Sequence, residues 1–187
     1  MHDPVVSSDD DLLILVDEDD REVGHLDKRA CHDGDGVLHR AFSIFVFNEH
    51  GELLLQRRSD EKRLWPGYWS NSCCSHPRRG ERLDEAVDRR LEEELGIVTE
   101  LHFLYRFHYR APFRDVGSER EVCSVFIGRS DGPVRANRRE VSEWRWISAA
   151  DLEAGLEQRP EAFTPWLKLE WPEVRAAYRE VLGFPDR

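Results

Sequence analysis

A single domain of mixed α/β (α+β) class, a mixed central sheet flanked by helices, is what the sequence predicts. Three observations carry that prediction. Short stretches with strand alternation are interleaved with stretches of helical period. The 187 residues contain no repeat and no long linker. Hydrophobic residues at 40% and charged residues at 35% are the balance of a globular chain able to bury a real core.

In order, residues 1–11 read as a flexible acidic terminus, and 12–16 as a strand ended by the turn Asp17-Glu18-Asp19-Asp20. Residues 28–32 read as a short helix before the Asp33-Gly34-Asp35-Gly36 loop. Strands at 37–47 and 52–57 are joined by Asn48-Glu49-His50-Gly51, a hairpin signature. A polar segment, 70–77, precedes an acidic helix at 82–95, which Gly96 stops. Leu101, Phe103, Tyr105, Phe107 and Tyr109 alternate along a strand at 100–110, and further strands follow at 121–128 and 143–147. Ser148 to Asp151 opens a helix with a capping-box-like pattern, Thr164-Pro165 starts another, and 173–182 forms a terminal helix closed by Gly183.

The net charge of −11 argues against nucleic acid or an anionic membrane surface as partner. An anionic substrate needs a local basic pocket within that acidic shell. Residues 1–11 carry neither a basic n-region nor an apolar h-region, and 12–16 is too short to span a membrane. Four cysteines without a secretion signal are expected as free thiols of a cytoplasmic protein.

The residues that point to chemistry are dispersed. Cys74 and His76 lie two positions apart just before the acidic helix, with His32 and His39 upstream and Glu119 and Glu121 downstream. In a strand Glu119 and Glu121 share a face, and like charges that close repel unless a cation lies between them. A site of His32, His39, His76, Glu119 and Glu121 offers nitrogen and oxygen without thiolate, which suits Mn²⁺ or Zn²⁺ and suits Mg²⁺ less well. Each histidine alone is a weak signal, and His2, His25, His50, His102 and His108 read as ordinary surface or hydrogen-bonded residues. Cys73 or Cys74 faces the pocket, and the other is a small buried hydrophobe, as Cys31 and Cys123 are expected to be. On the acidic helix, Leu83, Val87, Leu91 and Leu95 form the apolar face, with Arg90 and Glu94 falling between them. Those two charges are either an i,i+4 pair at the rim or groups that meet a ligand or metal.

Residues 75–97 resemble a degenerate Nudix box, on pattern at Glu81, Arg89, Leu91, Glu93, Glu94, Gly96 and Ile97, and departing from it at Ser75 and Arg90. More specific is the series His32, His39-x-Ala41-Phe42, Trp65-Pro66-Gly67, Asn71-Ser72-x-Cys74-x-His76-Pro77, Arg89-Arg90, Glu94-Leu95-Gly96, Glu119-x-Glu121-Val122 and Pro165-Trp166. In that order it closely resembles the type I isopentenyl diphosphate isomerases, over residues 12–166. The resemblance implies a Nudix-type fold and interconversion of two C5 diphosphates by a 1,3 proton shift. It implies Cys74 and Glu121 as the acid/base pair, Tyr109 as a donor beside Glu121, and Trp166 as the aromatic face for a cationic intermediate. It further implies Lys28, Arg58, Lys62 and Arg90 as diphosphate anchors, and Glu94 as ligand to a Mg²⁺ that bridges to the phosphate oxygens. No glycine-rich flavin motif is present. Two other readings stay open: a Nudix hydrolase indifferent to loss of Cys74, and a non-catalytic ligand-binding module.

Overall fold

The computed structural model describes residues 3–184. Its centre is β3 (His39–Phe47), buried along nearly its whole length. A strand reads this way when both its faces are covered. Phe42, Ile44 and Val46 point to α2 (Leu83–Leu95), whereas Phe45 and Phe47 point to α3 (Ala149–Gln158) and α4 (Pro165–Val181). The sheet is therefore the middle of three layers, and the period-2 alternation of β3 assigns each side chain its layer.

Nine strands join one sheet among the described residues. β3 runs antiparallel to β1 (Leu12–Val16), β4 (Leu53–Arg58) and β6 (Cys73–Ser75), and parallel to β8 (Gly117–Arg129). β2 (Glu22–Asp27) extends the edge beyond β1, β7 (Leu101–Phe113) pairs with β8, and β4 also carries β5 (Trp69–Ser70) and β9 (Val141–Ile147). Two registers set up the site. The parallel pair places His39 beside Glu121, and the antiparallel pair places Ser43 beside Cys74.

The expected order of strands and helices is present, with differences. β2 and β5 had no sequence signal: the first is half exposed and lacks an apolar face, and the second is two residues long. The helices expected from 164–165 and over 173–182 are one helix, α4, which runs through Pro172. An internal proline costs about 3 kcal/mol. Burial of Leu167, Trp171, Val174 and Tyr178 against the sheet outweighs it.

Residues 3–9, expected to be flexible, lie as a strap against the body. Asn137 Nδ2 donates to Pro4 O at 3.0 Å, Arg78 Nη2 to Val6 O at 2.9 Å, and Lys28 Nζ to Ser7 Oγ at 2.6 Å. His2 lies outside the described residues. No helix among the described residues is long and apolar enough to cross a membrane.

Candidate active site

The five expected metal ligands converge at the α4-side end of β3 and β8. Donor atoms of His32, His39, His76, Glu119 and Glu121 all lie within 4.8 Å of one another. They come from four different local structures. His32 is the C-cap of α1 (Lys28–Cys31), His39 opens β3, His76 follows β6, and both glutamates sit on one face of β8. Gly117 makes the junction of α1 and β8 possible. A Cβ there would lie 2.1 Å from His32 O, which instead accepts from Ser118 N at 3.0 Å.

The donor set fits a divalent metal. His32 Nδ1 lies 2.6 Å from Lys28 O and His39 Nδ1 lies 2.7 Å from Val37 O. A carbonyl only accepts, so both Nδ1 atoms carry the proton and both Nε2 lone pairs face the cluster. His39 Nε2 is buried and has no hydrogen-bond partner, the position of a ligand atom. His32 Nε2 lies 2.7 Å from Glu119 Oε2, and His76 Nε2 lies 3.0 Å from Glu121 Oε1. Burial, with His39 and His32 beside it, holds the His76 imidazole well below its usual pKa, so it is neutral and able to ligate.

Beside this cluster lies a cavity of about 230 Å³, lined among others by Cys74, Tyr109, Glu121, Trp166, Lys28, Arg58 and Lys62. The structure resolves the choice of sulfur. Cys73 packs into the α2-side core, and Cys74 faces the cavity. Asn71 is fixed by Nδ2 bonds to Ile44 O at 3.1 Å and Cys73 O at 3.0 Å, which turns its Oδ1 to accept from Cys74 Sγ at 2.8 Å. From the other side Trp166 Nε1 donates to Cys74 Sγ at 3.0 Å. Burial, and then Glu170, push the thiol up to about 12. Tyr109 stands opposite Glu121 in the β7–β8 register. Burial and Glu121 raise its phenol well above the usual range, so it stays protonated and able to donate.

The basic residues divide into two groups. Lys28 and Lys62 face the cavity, and burial followed by Lys62 pushes the Lys28 ammonium down to about 8, a strain that a bound anion relieves. Arg58 donates Nε to Trp65 O and Nη2 to Leu64 O, at 3.1 and 2.9 Å, with its guanidinium carbon 5.2 Å from the Trp166 ring centroid. Arg90 is different. A guanidinium has five N–H donors, and here each has a protein acceptor: Ser75 Oγ, Val6 O, Glu93 Oε2, Glu94 Oε1 and Glu140 Oε2. Arg90, expected as a diphosphate anchor, borders the same cavity and in this structure also clasps the strap, β6, α2 and the turn before β9. Glu94, expected as the ligand of a second ion, Mg²⁺, pairs with Arg90 and lies 3.5 Å from Gln56 Nε2. The Arg90–Glu94 pair is thus the i,i+4 pair, but buried at 2% and 3% exposure rather than at a rim.

Three residues of the site had not been singled out in the sequence. Ser7 reaches Lys28 from the strap. Glu140 lies under Lys62 and Arg90. Glu170 is fully buried behind Cys74, its Oε1 3.7 Å from Cys123 Sγ. Glu170 alone left a signal: it is four residues from Trp166, on the same face of the helix.

The NUDIX domain family matches residues 37–167 of this chain. The chain is 46% identical to Isopentenyl-diphosphate Delta-isomerase 1 of Photorhabdus laumondii subsp. laumondii over 164 residues, 87% of this chain and 93% of that protein. It is 41% identical to the Isopentenyl-diphosphate Delta-isomerase of Salmonella arizonae over 173 residues, covering 91% and 94% of the two chains. Among solved structures, a Deinococcus radiodurans protein superposes with a TM-score of 0.70 at 27% identity, over 90% of this chain and 99% of that one. The MutT protein of Methanosarcina mazei Go1 gives a TM-score of 0.60 at 24% identity over 77% and 95%, a likeness of fold.

Proposed function

The chain belongs to the isopentenyl-diphosphate Delta-isomerases of the NUDIX domain family, and from that premise we propose that it interconverts isopentenyl and dimethylallyl diphosphate by a 1,3 proton shift. The observation that carries this reading is one cavity bordered by a thiol, a carboxylate, a cluster of side chains that suits a divalent metal and a pair of half-buried lysines.

Cys74 and Glu121 divide the chemistry. One adds a proton to the terminal alkene carbon, which leaves positive charge on the adjacent tertiary carbon. The other removes a proton from the neighbouring methylene, the double bond moves inward, and the diphosphate stays intact. An unactivated alkene is a poor base, so the acid must be desolvated and well placed. The Asn71 and Trp166 contacts hold the thiol in one orientation, and Tyr109 keeps a phenolic donor beside Glu121. Trp166 supplies an aromatic face, where a desolvated cation gains ~2 kcal/mol or more.

Mn²⁺ or Zn²⁺ suits the ligands His32, His39, His76, Glu119 and Glu121. Bound there, the ion neutralises the paired carboxylates and acidifies what it ligates. Mg²⁺, with Glu94 as its ligand, is the expected companion of the diphosphate. Lys28 and Lys62 bind the diphosphate, aided by Arg58. Four free cysteines support a cytoplasmic setting.

Substitution separates the roles. Cys74→Ala and Glu121→Gln should each abolish isomerisation while the fold persists by circular dichroism, and Cys73→Ala should retain most of the turnover. Near-wild-type turnover in either of the first two would remove the role assigned. Release of inorganic phosphate from the substrate, unaffected by Cys74→Ala, would mark a hydrolase instead.

A further inference from the structure

The network around Lys62 assigns a role to one carboxylate of the cavity's lining. We infer that Glu140 is a positioning residue for the diphosphate: itself held by Arg90, it pins the Lys62 ammonium at the place where the anion binds. The inference rests on the reading of this cavity as a diphosphate site.

Glu140 ends the turn before β9 and is 4% exposed. Its backbone is held on both sides, its N–H on Asn137 O and its carbonyl on Ser59 N, each at 2.9 Å. One carboxylate oxygen, Oε2, accepts both from Lys62 Nζ and from Arg90 Nη2, the latter at 3.2 Å. Arg90 is held in turn by five donors that tie together four segments of the chain. Glu140 is therefore a fixed acceptor. Lys62 differs: an ammonium has three N–H donors, Glu140 is its side-chain partner, and the cavity lies beside it. A flexible four-carbon stem is otherwise free to turn to solvent, and the buried carboxylate removes that freedom before substrate arrives. Burial opposes the charge on Glu140, but Lys62 and then Arg90 hold its carboxyl below the usual range, so it is ionised while it does this.

The sign of the effect distinguishes positioning from proximity. A carboxylate that is merely near an anion site repels the anion, so its removal tightens binding. A carboxylate that positions a cation weakens binding when removed. The test is calorimetric titration of the metal-loaded enzyme with inorganic pyrophosphate, beside steady-state isomerisation, for wild type, Glu140→Gln, Glu140→Asp, Lys62→Ala and the double variant Lys62→Ala/Glu140→Gln. The expected result for Glu140→Gln is about tenfold weaker pyrophosphate binding and a KM raised more than kcat is lowered. Glu140→Asp should recover part of the loss. The double variant should bind no more weakly than Lys62→Ala alone, because the two residues act as one unit. Where Glu140→Gln melts too low to measure, the Glu140→Asp comparison decides in its place, with affinity between wild type and Lys62→Ala expected. Unchanged or tighter binding in either Glu140 variant would overturn the role of Glu140 alone. A folded, metal-loaded wild type that neither binds pyrophosphate nor isomerises would overturn the functional reading instead.

Discussion

Glu170 shows how much one side chain at this site is constrained by what surrounds it. It is fully buried, its Oε2 has no hydrogen-bond partner, and burial pushes its carboxyl from an ordinary 4.5 up to about 8. An uncompensated buried carboxylate is costly, so the folded protein keeps it protonated. Between pH ~4.5 and ~8 the folded state holds a proton that the unfolded state has lost, so this group makes stability fall as pH rises through that window, and level off above it. Glu170→Gln copies the neutral form and removes the slope. Its melting temperature should gain on wild type by several degrees between pH 5 and pH 8. Parallel curves for the two proteins would mean that Glu170 is ionised in the fold. The residues proposed for catalysis were legible as types at ordered spacings, because thiols and imidazoles are few and their order with the Glu-x-Glu pair along the chain is distinctive. Glu140 and Glu170 were not, since a glutamate among 38 acidic residues says nothing of burial until the chain is folded.

At the scale of elements, strand register converts dispersed residues into a site. The β3–β8 pair brings His39 to Glu121 across 82 positions of sequence, and β3–β6 brings Ser43 to Cys74. A one-residue slip in either would turn the ligands to the opposite face. The α1–β8 junction sets the third histidine and depends on Gly117. A methyl group at that position meets His32 O at 2.1 Å, so the backbone that carries the imidazole must shift. Gly117→Ala should therefore weaken Mn²⁺ binding at least tenfold by calorimetric titration while the far-ultraviolet dichroism is kept. Wild-type affinity would show that the junction absorbs the methyl group without moving His32. The strands with alternation or continuous apolar runs, and the helix between Arg82 and Gly96, were legible because hydrophobic period marks them directly. The strap at 3–9 was not: it carries no period, and Lys28, Arg78, Arg90 and Asn137, far away in sequence, hold it. The continuity of α4 through Pro172 escaped a local reading for the same reason, because the packing that permits it lies on other elements.

For the whole molecule, a chain with a net charge of −11 places two lysines and five arginines around one cavity beside a ring of histidines and glutamates. That local reversal of sign is what an acidic protein needs to hold a doubly charged headgroup, and the apolar thiol–indole–phenol wall next to it suits a short hydrocarbon. The proposed reaction needs an anchored diphosphate with a proton donor and acceptor in reach of the hydrocarbon, and the residues around this cavity are of the types that serve it. The proposed isomerisation adds a proton to one carbon and removes one from another while the diphosphate stays whole. Proton nuclear magnetic resonance of isopentenyl diphosphate in D₂O, with the enzyme, Mn²⁺ and Mg²⁺, reads that proton shift directly. Deuterium appearing in a methyl group of dimethylallyl diphosphate, and its loss on exhaustive chelation, is the predicted result. Substrate unchanged in the presence of folded, metal-loaded enzyme, or free phosphate in place of a shifted double bond, would contradict it.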